Sequence, residues 1–494
     1  MIRELYDNIL QHKDIRQNLI KLKAELKEHN NKTALLYLMG ADYSIFDQLL
    51  MNQDAKIRKN AALIMGELAV PCFLDKLVDA YKKEEQLFVK SSYLIAIKNL
   101  EYGMLLPYLK ERLSTLSKIE PGESNKKHIN EEIRVLSELI LAKEGIVQHT
   151  FIGYQVPSEL ILLTNRNFVD VTMEQLSDVK SKKFTAGVML HSNDLKKVLP
   201  IRTYSEILFM LNDLKVCKMD EDVAAKAIAG SGLLEFMKMR HKGEAPFFFR
   251  IELKSKLELD KKSAFTKKLG YEIERLSDRK LINSTSNYEF EIRLIENKEG
   301  NLNVLIKLYT LKDERFTYRR KSIATSIHPV NAALMARLAK DYLIEGAQVL
   351  DPFCGAGTML IERNQILRAN TMYGLDIYNE AIEKAKENTA AANAIVHFIN
   401  RDFFDFKHDY LFDEIITNLP RAMGHKEVDE IYQLYQKFFV KAPEHLKNGG
   451  VMILYSHNKE FVKKLLNRQI YRLEEEYEIS KKEGAYLFII RYIR

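Results

Sequence analysis

The segment Asp351-Pro-Phe-Cys-Gly-Ala-Gly-Thr358 constrains the fold of this chain more than any other stretch of its 494 residues. It follows an apolar run, Gln348-Val-Leu, that reads as a buried strand, and it opens a helical run from Met359. A glycine-rich turn in that setting brings main-chain N–H groups and a helix N-terminus against a ligand. Two readings of the turn fail on spacing. The third glycine of a dinucleotide fingerprint would fall at Leu360, and no Gly-Lys-Ser/Thr follows, as a phosphate-binding loop of NTPase type requires.

From about residue 325 strand and helix alternate. Short apolar strands begin at Gln348, Tyr373, Val396, Glu414 and Val451, and helical stretches such as 379–393 lie between them. That alternation predicts a parallel, doubly wound sheet. Two later runs, from Tyr471 and from Ala485, flank the turn Lys481-Lys-Glu-Gly and predict an antiparallel hairpin on the sheet edge. Asp376 ends the second strand, where a carboxylate can accept both hydroxyls of a ribose. Asp402 follows the third strand, within reach of an adenine amine. Each acid alone could equally cap the helix after it. In order with the glycine loop, they describe a nucleoside pocket at the carboxyl ends of the strands.

The fourth strand runs into Asn418-Leu-Pro-Arg421. An exocyclic amine on a base is a poor nucleophile because its lone pair is delocalised into the ring. The Asn418 side-chain carbonyl and the Leu419 main-chain carbonyl can accept its two hydrogens. The nitrogen then pyramidalises toward a methyl donor, with Pro420 fixing the turn. A sulfonium electrophile needs positioning rather than a strong base. Elsewhere in a chain the same tripeptide would read as an Asx-type turn.

The ordered set DPFCGAGT, GLD, RDFF and NLP resembles the class I methyltransferases that use S-adenosylmethionine. More narrowly it resembles the RNA methyltransferases whose catalytic domain follows a THUMP domain, many of which form N2-methylguanosine in tRNA or rRNA. The run from Ser322 through Ala339 is similar to that family's approach to the catalytic domain. The resemblance covers about residues 310–460. It implies a cofactor loop at Asp351, Phe353, Cys354, Gly355, Gly357 and Thr358. It also implies a ribose contact at Asp376, a further cofactor contact at Ile377, adenine contacts at Asp402 and Phe403, and a catalytic tetrapeptide Asn418, Leu419, Pro420, Arg421. The family has Phe or Tyr at the fourth catalytic position, to stack on the target base; here Arg421 stands there, able to stack or to bind a phosphate. Phe403, Phe404 or Tyr455 could supply the ring instead.

Upstream of this region the pattern changes twice. Residues 1–144 read as successive helices, and Ile57–Leu68 overlays on Val89–Leu100, so that Arg58 falls on Lys90 and Leu63 on Ile95. That self-similarity resembles HEAT repeats and predicts an α-solenoid, with an ordinary helical bundle as the alternative. A loop is expected over 118–128 and a closing helix over 131–142. Residues 150–318 read as mixed α+β: strands at Glu159, Ala186 and Pro246, helices at 205–214 and from Lys261, and a hairpin joined by Asn297-Lys-Glu-Gly-Asn. This block is similar to a THUMP region in element order and in its late hairpin.

The expected architecture is therefore multidomain α and α/β. It comprises a HEAT-like α-solenoid (1–144), a THUMP-like RNA-binding α+β region (150–318) and a Rossmann-like class I methyltransferase (325–494) with a mostly parallel seven-stranded sheet.

The remaining signals narrow the function. Lys and Arg exceed Asp and Glu by only 7, which permits a nucleic-acid partner without requiring one. Lys254, Lys256, Lys261, Lys262, Arg319, Arg320 and Lys321 are candidate phosphate contacts, each also readable as a solvated surface cation. Cys72, Cys217 and Cys354 have no zinc-like spacing, and no metal is expected. Pyrimidine C5 methylation needs a thiolate in or after the fourth-strand loop. No cysteine follows 354, so Cys354 reads as a small packing residue. His328, before a proline, reads as structural. No signal peptide or membrane span is evident, and a cytoplasmic protein is expected. The function implied is methyl transfer from S-adenosylmethionine to an exocyclic amine of structured RNA, most simply guanine N2 of tRNA or rRNA. The alternatives are adenine N6 of RNA or DNA, and a catalytically decayed RNA-binding scaffold. The helical block would add a surface for RNA or protein.

Overall fold

The computed structural model describes residues 1–117, 119, 123–145, 149–421 and 428–494. Side chains collect into separate hydrophobic cores for the first and second blocks, and into one core on each face of the sheet in the third.

The first block is helical throughout. Its fifth to ninth helices are α5 (Ala55–Leu68), α6 (Phe73–Lys83), α7 (Leu87–Ile97), α8 (Leu106–Ser117) and α9 (Glu123–Glu144). Asp54 caps α5 through the Lys56 N–H. Arg58 makes two hydrogen bonds to Glu84, tying α5 to the turn before α7. The self-similar helices α5 and α7 pack directly on each other. Gly66 permits this, since a Cβ there would lie 2.4 Å from Ala96 Cα. Gly66→Ala is expected to cost about 1–3 kcal/mol, by forcing the helices apart, read as an earlier urea transition of the helical block. Helix α9 begins at Glu123, inside the expected loop, while residues 118 and 120–122 lie outside the described residues. The turn formers of 118–128 stop short of a helical run that α9 continues by packing on α7 and α8.

The second block is built on a nine-stranded sheet. Its strands are β2 (Ser158–Thr164), β3 (Ser181–Phe184), β4 (Gly187–Ser192), β5 (Tyr204–Met210), β6 (Val216–Cys217), β8 (Phe247–Lys254), β9 (Leu281–Asn283), β10 (Phe290–Glu296) and β11 (Leu302–Leu308), while β1 (Thr150–Phe151) pairs separately with β7 (His241–Lys242). The strand order is β3-β4-β2-β5-β11-β10-β8-β9, with β6 on β11. The hairpin β10–β11 forms as expected. The helix expected over 205–214 is instead strand β5, paired along its length with β2 and joined to β11. Ser205-Glu-Ile-Leu-Phe-Met carries apolar residues compatible with either period. Pairing in the middle of a sheet overrides a weak helical preference. Helix α13 (Leu259–Leu276; α10, α11 and α12 are Val169–Met173, Glu221–Ala229 and Leu233–Arg240) covers one face and meets α9 through a Tyr271–Asn130 hydrogen bond, and Arg279 in the turn after it bonds Ser137 of α9.

The third block is a seven-stranded sheet with β14 (His397–Asn400), β13 (Thr371–Asp376), β12 (Gln348–Asp351), β15 (Phe412–Asn418), β16 (Leu446–Ser456), β18 (Ala485–Tyr492) and β17 (Tyr471–Ser480) side by side. The first five are mutually parallel and the last two form the expected antiparallel hairpin. Neighbouring residues face opposite cores: Val349 and Ile416 one side, Leu350 and Ile415 the other. Helices α14 (Pro329–Leu338), α15 (Thr358–Ile366), α16 (Asn379–Ala391), α17 (Val428–Lys441) and α18 (Lys459–Leu465) complete the wrapping. Because β12, β13, β14 and β15 are parallel, Asp351, Asp376, Asn400 and Asn418 all end strands at one edge. The strand order reverses between β12 and β15, where a crevice opens in such sheets. Among the described residues no helix is long and apolar enough to cross a membrane.

Candidate active site

The glycine loop turns as its composition requires. Gly355 and Gly357 have φ of +51° and +78°, left-handed values that side chains resist. The turn closes by Gly357 N–H to Cys354 O (2.8 Å), and Cys354 N–H donates to Leu375 O on β13 (2.8 Å). Gly357 then caps the N-terminus of α15. The Cys354 thiol is buried and burial pushes its pKa well up, so no thiolate is offered.

Asp376 ties two of the predicted loops together. Its Oδ2 accepts the Gly355 N–H (3.0 Å) and its Oδ1 the Tyr378 N–H (2.9 Å), so it braces the glycine loop and does not cap a helix. Carboxylate oxygens hold two lone pairs each, which leaves room for ligand hydroxyls. The Asn400 side chain secures the same corner by donating to Asp376 O and Ile377 O. Beside it Ile377 and Tyr378 are 57% and 67% exposed, an apolar pair left open at the crevice edge. Asp402 is exposed and caps the turn at Phe403 by accepting from Phe404 N–H (2.9 Å).

Two expectations about rings need correction. The Phe403 ring is buried among Phe353, Phe438 and His445, and Tyr455 is buried beside His457. Neither ring is open to a ligand, because both fill the cores under the sheet. Phe404, half-buried beneath Lys437, is the accessible ring of the three.

Asp351 is the most perturbed acid of the site. It is buried; Oδ1 accepts the Phe353 N–H (3.1 Å) and Oδ2 has no partner. Burial pushes the carboxyl up to about 7, opposed by the Phe353 N–H and by the nearby Thr417 hydroxyl, which itself makes no hydrogen bond of normal geometry. The Thr358 hydroxyl on α15 is likewise buried without a partner. An acid whose folded pKa is raised binds its proton more tightly when folded. Its stability contribution is therefore best below pH 4 and lost as pH rises toward 7. Asp351→Asn is expected to raise Tm, more at pH 8 than at pH 5, measured by calorimetry.

Asn418 ends β15 with its Nδ2 donating to Thr325 O (3.4 Å), which assigns the amide and leaves Oδ1 as the acceptor. Leu419 is buried and donates its N–H to Tyr455 O (2.9 Å). Pro420 O accepts from Tyr435 Oη (3.1 Å), itself bonded to Ser456 Oγ (2.9 Å). Arg421 is exposed, and its charge is felt at Tyr455; residues 422–427 lie outside the described residues. His328 caps α14 through the Val330 N–H, the structural role expected of it. Lys254, Lys256, Lys261, Arg320 and Lys321 are exposed, and Lys262 and Arg319 are half-buried.

Several residues that shape the site were not singled out from sequence. Glu362, on α15, is buried and takes both Arg202 nitrogens (2.8 and 2.7 Å) and Tyr318 Oη (2.5 Å), joining the second block to the cofactor-loop helix. Asn388 on α16 is buried and bonds Lys321 and Ala356. Its signal was readable: Asn388 falls on the apolar stripe of Ala381 and Ala385, where a polar residue must find buried partners.

Residues 317–482 match the RMKL-like methyltransferase domain family (UPF0020), about a third of the chain. A tRNA (guanine(10)-N2)-dimethyltransferase of Methanothermobacter thermautotrophicus is 28% identical over 137 residues, 27% of this chain and 40% of that protein. The chain thus aligns with less than half of that relative. Among solved structures, TrmN from Thermus thermophilus is similar with a TM-score of 0.52 at 19% identity, over 68% of this chain and 99% of its own. SMU.472, solved in complex with SAH, is similar with a TM-score of 0.54 at 12% identity, over 68% and 98%. The C-terminal part of the chain is methyltransferase-like in sequence and in fold.

Proposed function

We propose that this protein is an S-adenosylmethionine-dependent RNA methyltransferase acting on an exocyclic base amine, with guanine N2 of tRNA or rRNA as the target. The observation that carries the reading is the convergence at one sheet edge of the glycine loop, Asp376, Asp402 and Asn418-Leu-Pro, with the Asn418 amide oriented by Thr325. The name of the curated relative, a tRNA guanine-N2 enzyme, favours this base.

The residues present fit the cofactor. The unpartnered Asp351 Oδ2 and Thr358 Oγ1 ask for donors that a methionyl ammonium carries, Asp376 suits a ribose, and exposed Ile377 suits an apolar ring face. Asp402 serves the adenine amine. When bound, S-adenosylmethionine supplies an electrophilic methyl group. Asn418 Oδ1 and the Leu419 carbonyl accept the hydrogens of the target amine and hold its lone pair in line; Pro420 and Tyr435 keep the turn rigid. Arg421, exposed at the crevice, binds RNA phosphate or stacks in place of the family's aromatic residue. Residues 150–318 present the RNA as a THUMP-like region, and 1–144 add a HEAT-like surface for RNA or protein. The protein works in the cytoplasm, where tRNA and rRNA are exposed to it.

The test combines calorimetry and nucleoside analysis. The protein binds S-adenosylmethionine, and Asp376→Ala weakens binding by about 10-fold or more, the loss of a half-buried charged hydrogen-bond acceptor. RNA from a deletion strain lacks one N2-methylguanosine. Loss of N6-methyladenine instead would move the target to adenine, and cofactor-free, turnover-free RNA binding would leave a scaffold.

A further inference from the structure

The segment 319–328, between the second block and α14, runs from beside the glycine loop to Asn418 as a strap. Tyr318 just before it is anchored on Glu362 of the cofactor-loop helix. The terminal methyl of Ile323 lies 3.4 Å from where a Cβ on Gly355 would stand. Lys384 Nζ donates to Ser322 O (3.2 Å), and Thr325 O accepts from the catalytic-loop Asn418. Within itself the strap holds one tight turn, Ser326 N–H to Ile323 O and Ile323 N–H to Ser326 Oγ. Arg320, Lys321, Ser322, Ala324 and Thr325 are exposed. A segment with so little burial opens readily unless its main chain is pinned.

One buried side chain holds the strap by both its main-chain donor and its acceptor. Asn388 is 0% exposed. Its Oδ1 accepts the Lys321 N–H (3.0 Å), and its Nδ2 donates to Lys321 O (2.9 Å) and to Ala356 O (3.0 Å). Two bonds hold the strap much as a neighbouring strand would. The third reaches the residue between the two left-handed glycines. Asn388 is therefore the hydrogen-bonded link between the cofactor loop and the strap whose far end orients Asn418.

We propose that Asn388 is a positioning residue that transmits occupancy of the cofactor loop to the strap, and through Thr325 to the amide of Asn418. The proposal rests on the cofactor site assigned above. Ligand that fixes the Gly355–Gly357 turn fixes Ala356 O, which holds Asn388 in the rotamer that clamps Lys321. Without ligand the loop and strap loosen together.

Hydrogen–deuterium exchange on the full chain, with S-adenosylhomocysteine as the probe, tests this. In the wild type the ligand slows exchange of peptides covering 320–326 by about tenfold or more. In Asn388→Ala that ligand-dependent protection falls to about twofold or less, while calorimetry shows the Kd changed by less than about fivefold. With RNA substrate, kcat falls and the KM for cofactor stays within the same factor. Loss of a structural bond alone would raise exchange with and without ligand equally. If Asn388→Ala fails to fold, Asn388→Asp, which keeps the acceptor for the Lys321 N–H and loses the donor to Ala356 O, decides by the same loss of protection. Ligand binding without strap protection in the wild type, or protection retained in the variant that folds, overturns the proposal. No ligand binding by the wild type overturns the cofactor site itself.

Discussion

Asn418→Ala lowers the rate of methyl transfer to RNA by about 10²–10³-fold, the cost of removing one acceptor that positions the reacting group. Affinities for S-adenosylhomocysteine and for RNA stay within about twofold, because the side chain makes one long bond, to Thr325 O, and braces neither the glycine loop nor Asp376. The split between binding and turnover is the informative part. A residue needed for folding would lower both; a residue that arranges the amine lowers only the chemical step. Asn418→Asp keeps an acceptor but loses the donor to Thr325, so its carboxylate is free to rotate. It falls between the wild type and alanine. Single-turnover rates with saturating RNA measure the chemical step directly. A rate for Asn418→Ala within tenfold of wild type would remove Asn418 from the mechanism.

Glu414→Ala destabilises the C-terminal domain by about 3–5 kcal/mol, a large share of the stability of a typical domain. Glu414 and Arg363 are both 0% exposed and form a two-bond pair (2.7 and 2.6 Å). Glu414 also accepts the Ile344 N–H (2.7 Å), and Arg363 donates to Ile344 O and Leu367 O. Removing the carboxylate leaves a guanidinium with no counter-charge inside the core. The pair joins α15, which carries the cofactor loop, to β15, which carries Asn418, so its loss separates the two halves of the site. Replacing both residues with apolar ones, as in Arg363→Met with Glu414→Leu, recovers much of the stability, since the desolvation cost disappears with the charges. Thermal melts of the single and double variants separate lost charge from lost shape.

The doubly wound sheet was legible because apolar strands and amphipathic helices alternate with the right periods, and each strand end carries a distinctive polar residue. Gly355 and Gly357 announced a ligand-facing turn, and Asp376 an acid at a strand end, before any geometry was known. Strand β5 was not legible: Ile207, Leu208, Phe209 and Met210 are consecutive apolar residues, and a run without alternation carries no period to separate strand from buried helix. The buried rings of Phe403 and Tyr455 misled for a related reason. An aromatic residue next to a motif can face ligand or core, and its neighbours along the chain do not say which.

What the sequence alone determined is local: which segments turn, which alternate, and which polar residues stand at strand ends. Those follow from backbone sterics and hydrophobic period, and they act over a few residues. What only the tertiary structure decided is how distant segments share atoms. Asp376 braces Gly355, Asn388 joins Lys321 to Ala356, Thr325 orients Asn418, and Glu362 holds Arg202. Each pairing depends on the fold bringing side chains from separate elements within about 3 Å, where a hydrogen bond forms. No spacing along the chain encodes that distance, so the chemistry was readable from the sequence, and the connections that make it act as one site were not.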